Sequence, residues 1–273
     1  MINLDISDAM MNDRYKLSQF HGHYWGDGFP HLTFEHFRDN FSEVENLDAI
    51  SIALIYPEGA FKKAKNEIDS IWFDNLPRLH KLKKLAIRHR LKQDFFDLIC
   101  QIQSLEELFF FGSSVEDISN IKKLINLKRL NLHSFTRLTD VSPLSYLKNL
   151  KILSIENSFK VENYEVIGEL TGLVGLELCG DTFAPKNLML KSLKPYMSLN
   201  QLKHLDLSRA SVIDKSYDCI LQMTSLERLD LLARMPGSLR EKIKFSHKNL
   251  KAGFFVDYDF DNNKFYDDKN WNP

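Results

Sequence analysis

The sequence predicts an α/β solenoid, a curved right-handed coil with a parallel sheet on its concave side and short helices or turns on its convex side. Three observations point there. Leucine is unevenly placed, with five in residues 1–75, 35 in residues 76–250 and none in residues 251–273. The motif L-x-x-L-x-L recurs in order from Leu82, Leu105, Leu127, Leu150, Leu173, Leu202 and Leu226, with a degraded eighth copy from Leu250. The intervals run from 22 to 29 residues, the range in which a strand and its return link form one repeating unit.

Each element follows from that spacing. Strand side chains alternate, so the fourth and sixth positions of the motif share one face, and both are Leu, Ile or Phe in every copy except at Gly253. A single unit cannot bury such a face, so units stack and their strands make a parallel sheet over a common leucine core. The links close the other side. DFFDLICQIQ and KSYDCILQM have helical apolar spacing, TDVSPLSYL holds Pro143 and predicts a short helical turn, and the insert APKNLMLKSLKPYM in the 29-residue interval predicts a longer helix. Leu47–Ile55 predicts a first, irregular strand. Residues 1–46 are expected to form an N-terminal cap, 47–257 the solenoid with clear repeats from 82, and 258–273 a C-terminal cap or tail.

These residues resemble the leucine-rich-repeat family, and the links TRLTDVSPLSYLKNL and SSVEDISNIKKLINL resemble its short internalin-type class. The resemblance covers residues 82–257 and implies a leucine-rich-repeat solenoid. At the ninth position the family usually places Asn, which bridges backbone groups of adjacent turns. This chain has Arg90, Ser113, Phe135, Ser158, Asp181, Ala210 and Arg234 there, so an incomplete ladder is expected.

Composition narrows the function. Lys+Arg total 36 against 37 Asp+Glu, a net charge of −1, so no basic excess argues for a nucleic-acid or membrane-surface partner. No uncharged apolar run reaches the roughly 18 residues of a membrane span, and the opening MINLDISDAMMNDRYK lacks the apolar stretch of a secretory signal. Cys100, Cys179 and Cys219 are widely spaced and form no C-x-x-C pair, as expected of reduced thiols in the cytoplasm. Phosphate-loop, hydrolase-elbow and zinc-protease signatures are absent, so the chain reads as a non-enzyme without a cofactor. No metal is expected. His21 and His23 read as cap packing, while Asp257, Asp259, Asp261 and Asp268 have the spacing of a calcium loop but Asn262 where its glycine should be.

Motif positions three, five and seven point away from the core and carry the candidate binding site. On this face the sequence places Arg88, Phe109, Phe111, His133, Glu156, Glu177, Asp206 and Asp230, basic towards Lys84 and Arg88 and acidic at the other end. Glu177, Asp206 and Asp230 fall in one column on successive strands, and Phe109 and Phe111 offer two rings for burial by a partner. The competing expectation is that Arg228, His204 and Arg209 neutralise the acids and an N-terminal segment covers the rings. The expected partner is another protein, and the chain alone a monomer. The resemblance to leucine-rich-repeat nuclease inhibitors implies a cytoplasmic inhibitor, in the manner of an immunity protein that neutralises a basic bacterial toxin such as a nuclease. A signalling scaffold or adaptor and a secreted bacterial effector acting on host proteins are the alternatives.

Overall fold

The computed structural model describes residues 29–53, 61–180, 186–231, 235–259 and 264–265. Nine short strands form one sheet: β1 (His31–Leu32), β2 (Ala49–Ile52), β3 (Lys84–Ile87), β4 (Glu107–Phe110), β5 (Arg129–His133), β6 (Ile152–Glu156), β7 (Gly175–Cys179), β9 (His204–Asp206) and β11 (Arg228–Asp230). They follow in chain order, and all pairings within this sheet are parallel. The register joins equivalent motif positions, so Leu85, Leu108, Leu130, Leu153, Leu176, Leu205 and Leu229 form one row. That row and the row two residues on, Ile87 to Leu231, are all 2% exposed or less. Each such side chain contributes about 1.5–3 kcal/mol by leaving water, which makes the repeated leucines the principal stabiliser of the stack.

The links form what their sequences can support. The helix Gln93–Ile99 buries Phe95, Phe96, Leu98 and Ile99, as its apolar spacing predicts. Ser142–Tyr146 is a 3-10 turn with Pro143 in its first turn, where the missing N–H has no helical partner to lose. Tyr217–Gln222 is likewise a 3-10 turn. The insert APKNLMLKSLKPYM does not make the longer helix expected of it. Leu188 and Leu190 are buried and Met189 is exposed, an alternation of period two that builds β8 (Leu188–Leu190) in parallel pairing with β10 (Ala210–Val212). A 3-10 turn over Lys194–Ser198 follows, with Pro195 in its first turn.

Turn-to-turn bonding is more complete than the ninth position suggests. Ser113 Oγ donates to the Leu91 carbonyl of the preceding turn at 3.5 Å, and Ser158 Oγ accepts the Phe135 N–H of the preceding turn at 3.2 Å. A second ladder sits on the residue just before four of the motifs. Ser104 Oγ donates to the Leu82 carbonyl at 2.7 Å, Asn126 Nδ2 to Gln103 at 3.0 Å, Asn149 Nδ2 to Ile125 at 2.9 Å and Ser225 Oγ to Leu202 at 2.8 Å. A parallel ladder of charge runs beside it, Lys83 and Lys128 flanking Glu106 at 3.1 and 2.5 Å.

Both ends depart from the repeat. The strand expected at Leu47–Ile55 is β2, and β1 carries the sheet one strand further, to His31. The helix Lys62–Asn75 buries Trp72, whose ring centroid lies 4.4 Å from Phe37 and 6.4 Å from Phe95. At the other end the copy from Leu250 is not the strand its motif predicts. A single bridge joins Ala252 to Arg228, Gly253 takes φ +99°, and the chain then enters the short helix Phe254–Asp257. The Leu229 backbone explains the glycine, because a Cβ at residue 253 would lie 2.4 Å from the Leu229 carbonyl oxygen. Phe255 still reaches the core, and the helix Gly237–Ser246 adds Ile243 beneath it. An antiparallel pair follows, β12 (Tyr258–Asp259) with β13 (Lys264–Phe265).

Candidate functional site

The outward side chains of the sheet run from an apolar patch at Ala86, Phe109 and Ile152 to a polar column, and most of them are buried. At the basic end Arg88 donates from Nε to Ser51 Oγ at 3.0 Å, and its guanidinium carbon lies 4.8 Å from the centre of the Phe111 ring. Phe109 was expected to stand open, but it is 1% exposed. Phe29 covers it with ring centroids 6.1 Å apart, in a small apolar cluster with Ala86 and Ile152 on which Phe111 also packs. His133 is partly buried and lies in register with Glu156, itself in register with Cys179.

Ser154, Glu177, Asp206 and Asp230 occupy one column in exact lateral register across four strands. The column matches the motif count, but its exposure does not: Glu177, Asp206 and Asp230 are 5%, 1% and 0% exposed and Glu156 is 6% exposed. Like charges about 4.8 Å apart repel by roughly 0.9 kcal/mol per pair even at water's dielectric constant, and more when buried. Local donors offset that cost. Ser154 Oγ donates to Glu177 Oε2 at 2.6 Å and itself accepts from Asn131 Nδ2 at 3.1 Å. Asp206 Oδ1 accepts from the Ser208 N–H at 2.8 Å and from Cys179 Sγ at 3.3 Å.

Asp230 is a buried ion pair. Arg228 donates to both its oxygens, from Nε at 2.6 Å and from a terminal nitrogen at 3.0 Å, and His204 Nε2 lies 3.3 Å from Oδ2. Burial alone would raise this carboxyl, but the His204 hydrogen bond and the Arg228 charge together hold it well below the usual carboxylate range. Cys179 moves the opposite way. Burial, then the charges of Asp206 and Glu177, push it far above an ordinary thiol, so it is an S–H donor and not a nucleophile.

Among the described residues Glu177, Cys179 and Asp206 are the grouping whose donor atoms could converge on a metal, all within 4.8 Å of one another. The hydrogen bonds just described already join Cys179 to Asp206, Asp206 to Ser208 and Glu177 to Ser154. Of the calcium-spaced acids, Asp257 ends the helix Phe254–Asp257 and Asp259 lies in β12, while Asp261 and Asp268 lie outside the described residues, as do His21 and His23. Sequence reasoning named Arg228 and His204 as partners for the acids, but overlooked Ser154 and Asn131. Their signal was their place in the same fifth-position column.

A family model described as leucine-rich repeats, two copies, matches residues 103–146. That match covers two turns, and the parallel register of equivalent leucines carries the same fold along the rest of the sheet. The chain is a leucine-rich-repeat solenoid. Its solved neighbours include the internalin inlF of Listeria monocytogenes str. 4b F2365, at 16% identity and TM-score 0.50 over 81% of this chain and 66% of that one. Internalin C2 (inlC2) of the same organism aligns at 20% identity and TM-score 0.50, over 65% of this solenoid and 73% of its own chain. TLR13, solved in complex with ssRNA13, aligns at 16% identity and TM-score 0.51, over 78% of this solenoid and 33% of its own chain. The solenoid thus spans just under two thirds of inlF and one third of TLR13. A comparison with curated proteins gave no match. No helix among the described residues is long and apolar enough to cross a membrane.

Proposed function

We propose that this solenoid is a non-catalytic protein-binding module and that its partner is a basic protein, engaged by the acidic column of the sheet. The observation that supports this reading is the lateral register of Glu177, Asp206 and Asp230, with Glu156 beside them, on the side of the sheet that has no part in the leucine core. Nine strands at about 4.8 Å spacing make a face near 38 Å long, the scale of a protein epitope and not of a metabolite. Asp230 is held by Arg228 and His204, and Glu177 and Asp206 have local donors of their own, so a cationic partner would act on Glu156, Glu177 and Asp206 by exchanging for those donors. Within this reading, a stoichiometric inhibitor that neutralises a basic toxin such as a nuclease is the specific form, and its acids would stand in for a polyanionic substrate.

The test is affinity capture with the intact chain, followed by calorimetry on the isolated pair. A one-to-one complex with a basic protein, weakened at least tenfold by Glu177→Gln with Asp206→Asn and weakened further by salt, supports the proposal. These isosteric changes remove charge without changing volume. An acidic or neutral partner, or unaltered affinity in the double variant, would sink the site.

A further inference from the structure

The near-zero charge of the whole chain conceals a strongly basic stretch in the middle of the array. Residues 118–155, two adjacent turns, hold seven Lys and Arg against one acid, Asp140. Four of the seven have partners within the fold. Lys128 pairs with Glu106 and Arg137 with Glu116, Arg129 lies 3.9 Å from Glu107, and Lys151 Nζ donates to the Gly172 carbonyl at 3.3 Å. Lys122, Lys123 and Lys148, on the links across the leucine core from the sheet, are exposed and form no ion pair among the described residues.

Two apolar side chains stand among these lysines. Ile125 is 59% exposed and Tyr146 64%, on adjacent turns that the Asn149 bond to the Ile125 carbonyl holds together. The repeat supplies its own control. Ile125 stands two residues before its motif, where the other seven copies have His, Gln, Lys, Thr, Asn, Thr and Lys. Tyr146 stands four before, where the other seven have Arg, Gln, Lys, Glu, Ser, Gln and Ser. Stacking therefore asks for no apolar residue at either place, and single exposed apolar residues are ordinary where this pair, ringed by cations, is not. The acids that face the area are few. Glu169 has the place of Tyr146 one turn on, Glu106 is held between Lys83 and Lys128, and the Asp117 carboxylate accepts from the Ser119 N–H at 2.7 Å. Against those three stand five exposed lysines, Lys128 and Lys151 included.

We propose that the convex side of these two turns is a second docking surface, and that it takes an acidic protein segment carrying bulky apolar side chains. Lysines alone would suit a nucleic-acid backbone or an anionic lipid surface equally well. The apolar pair separates these partners. Ile125 offers no ring on which a base could stack, and the 3-10 turns Ser119–Lys123 and Ser142–Tyr146 are too short to lay a helical face into a membrane interface. An aliphatic and a tyrosine side chain within a charged border match the centre and rim of a protein interface. Exposed ion pairs contribute little, so the apolar pair should carry affinity and the lysines orientation and association rate. The surface lies across the core from the acidic column, so the inference is independent of the function proposed above.

Selection from a random dodecapeptide library on the intact, end-tethered chain tests it. Enriched peptides should be rich in Asp and Glu and hold at least one Leu, Ile, Phe or Trp. Their affinity should fall at least tenfold in Lys123→Glu with Lys148→Glu, and likewise in Ile125→Ser with Tyr146→Ser, while Glu177→Gln with Asp206→Asn leaves it unchanged. The replaced link side chains are exposed, so thermal melts should match the parent; if a pair does unfold, Lys148→Glu and Tyr146→Ser singly decide by the same direction of change. No enrichment, enrichment without acidic bias, affinity that either link pair leaves intact, or loss in the column variant would overturn the proposal. So would single-stranded RNA or phosphatidylserine vesicles bound more tightly than the best peptide and lost in the lysine variant.

Discussion

At the scale of single residues, the strip is a chain of compensations, and each can be removed. Arg228→Leu leaves Asp230 as a buried carboxylate that has lost its guanidinium, and should cost about 3–5 kcal/mol in urea unfolding. Pairing it with Asp230→Asn should recover a large part of that loss, because no charge then remains to be satisfied. His89 gives a pH signature. Burial lowers it to about 4, with a backbone hydrogen bond to Ile52 opposing, and it lies edge-on to Phe95. A histidine with a lowered native pKa costs nothing above pH 6.5, where it is neutral in both states. As pH falls from 6.5 towards 4 the unfolded chain takes up the proton and the native chain does not, so stability declines by an amount on the order of 2–3 kcal/mol. His89→Gln should flatten that limb of a stability-against-pH curve, and an unchanged slope would contradict the assignment.

At the scale of elements, the ladder on the residue before each motif sets how tightly one turn holds the next. Asn126→Ala removes a bond to the Gln103 carbonyl and should cost about 1 kcal/mol, as should Asn149→Ala. Gly253→Ala forces a side chain against the Leu229 backbone at positive φ, at a cost of roughly 1–3 kcal/mol. Its effect should be local, with faster hydrogen exchange over 250–257 and none over 127–180. The period of the motif made the strands, their order and their register legible, because a leucine row repeated every 22 to 29 residues admits one stacking. The insert was not legible, since Leu188-Met189-Leu190 fits a buried helix or a strand equally until Ala210–Val212 is seen to lie beside it. The covering of Phe109 was legible only as an alternative, because its neighbour Phe29 is 80 residues distant and periodicity carries no information over that span.

At the scale of the whole molecule, every repeat touches its neighbours and little else, so stability is a sum of units and interfaces. Leu153→Ala opens a cavity in the middle of the array and should cost about 2–5 kcal/mol. The pre-motif donors and the Lys83–Glu106–Lys128 charges repeat with the same period as the leucines, and this makes the solenoid's length a modular quantity. Excising residues 127–149 would join Asn126, with its acceptor Gln103 in place, directly to Leu150, and would present Glu106 to Lys151 where Lys128 had been. The pre-motif donor lost with Asn149 is replaced by Asn126, which then stands directly before Leu150. Evolution can therefore resize this protein by whole turns, and the reach of its binding face is set by how many turns it keeps.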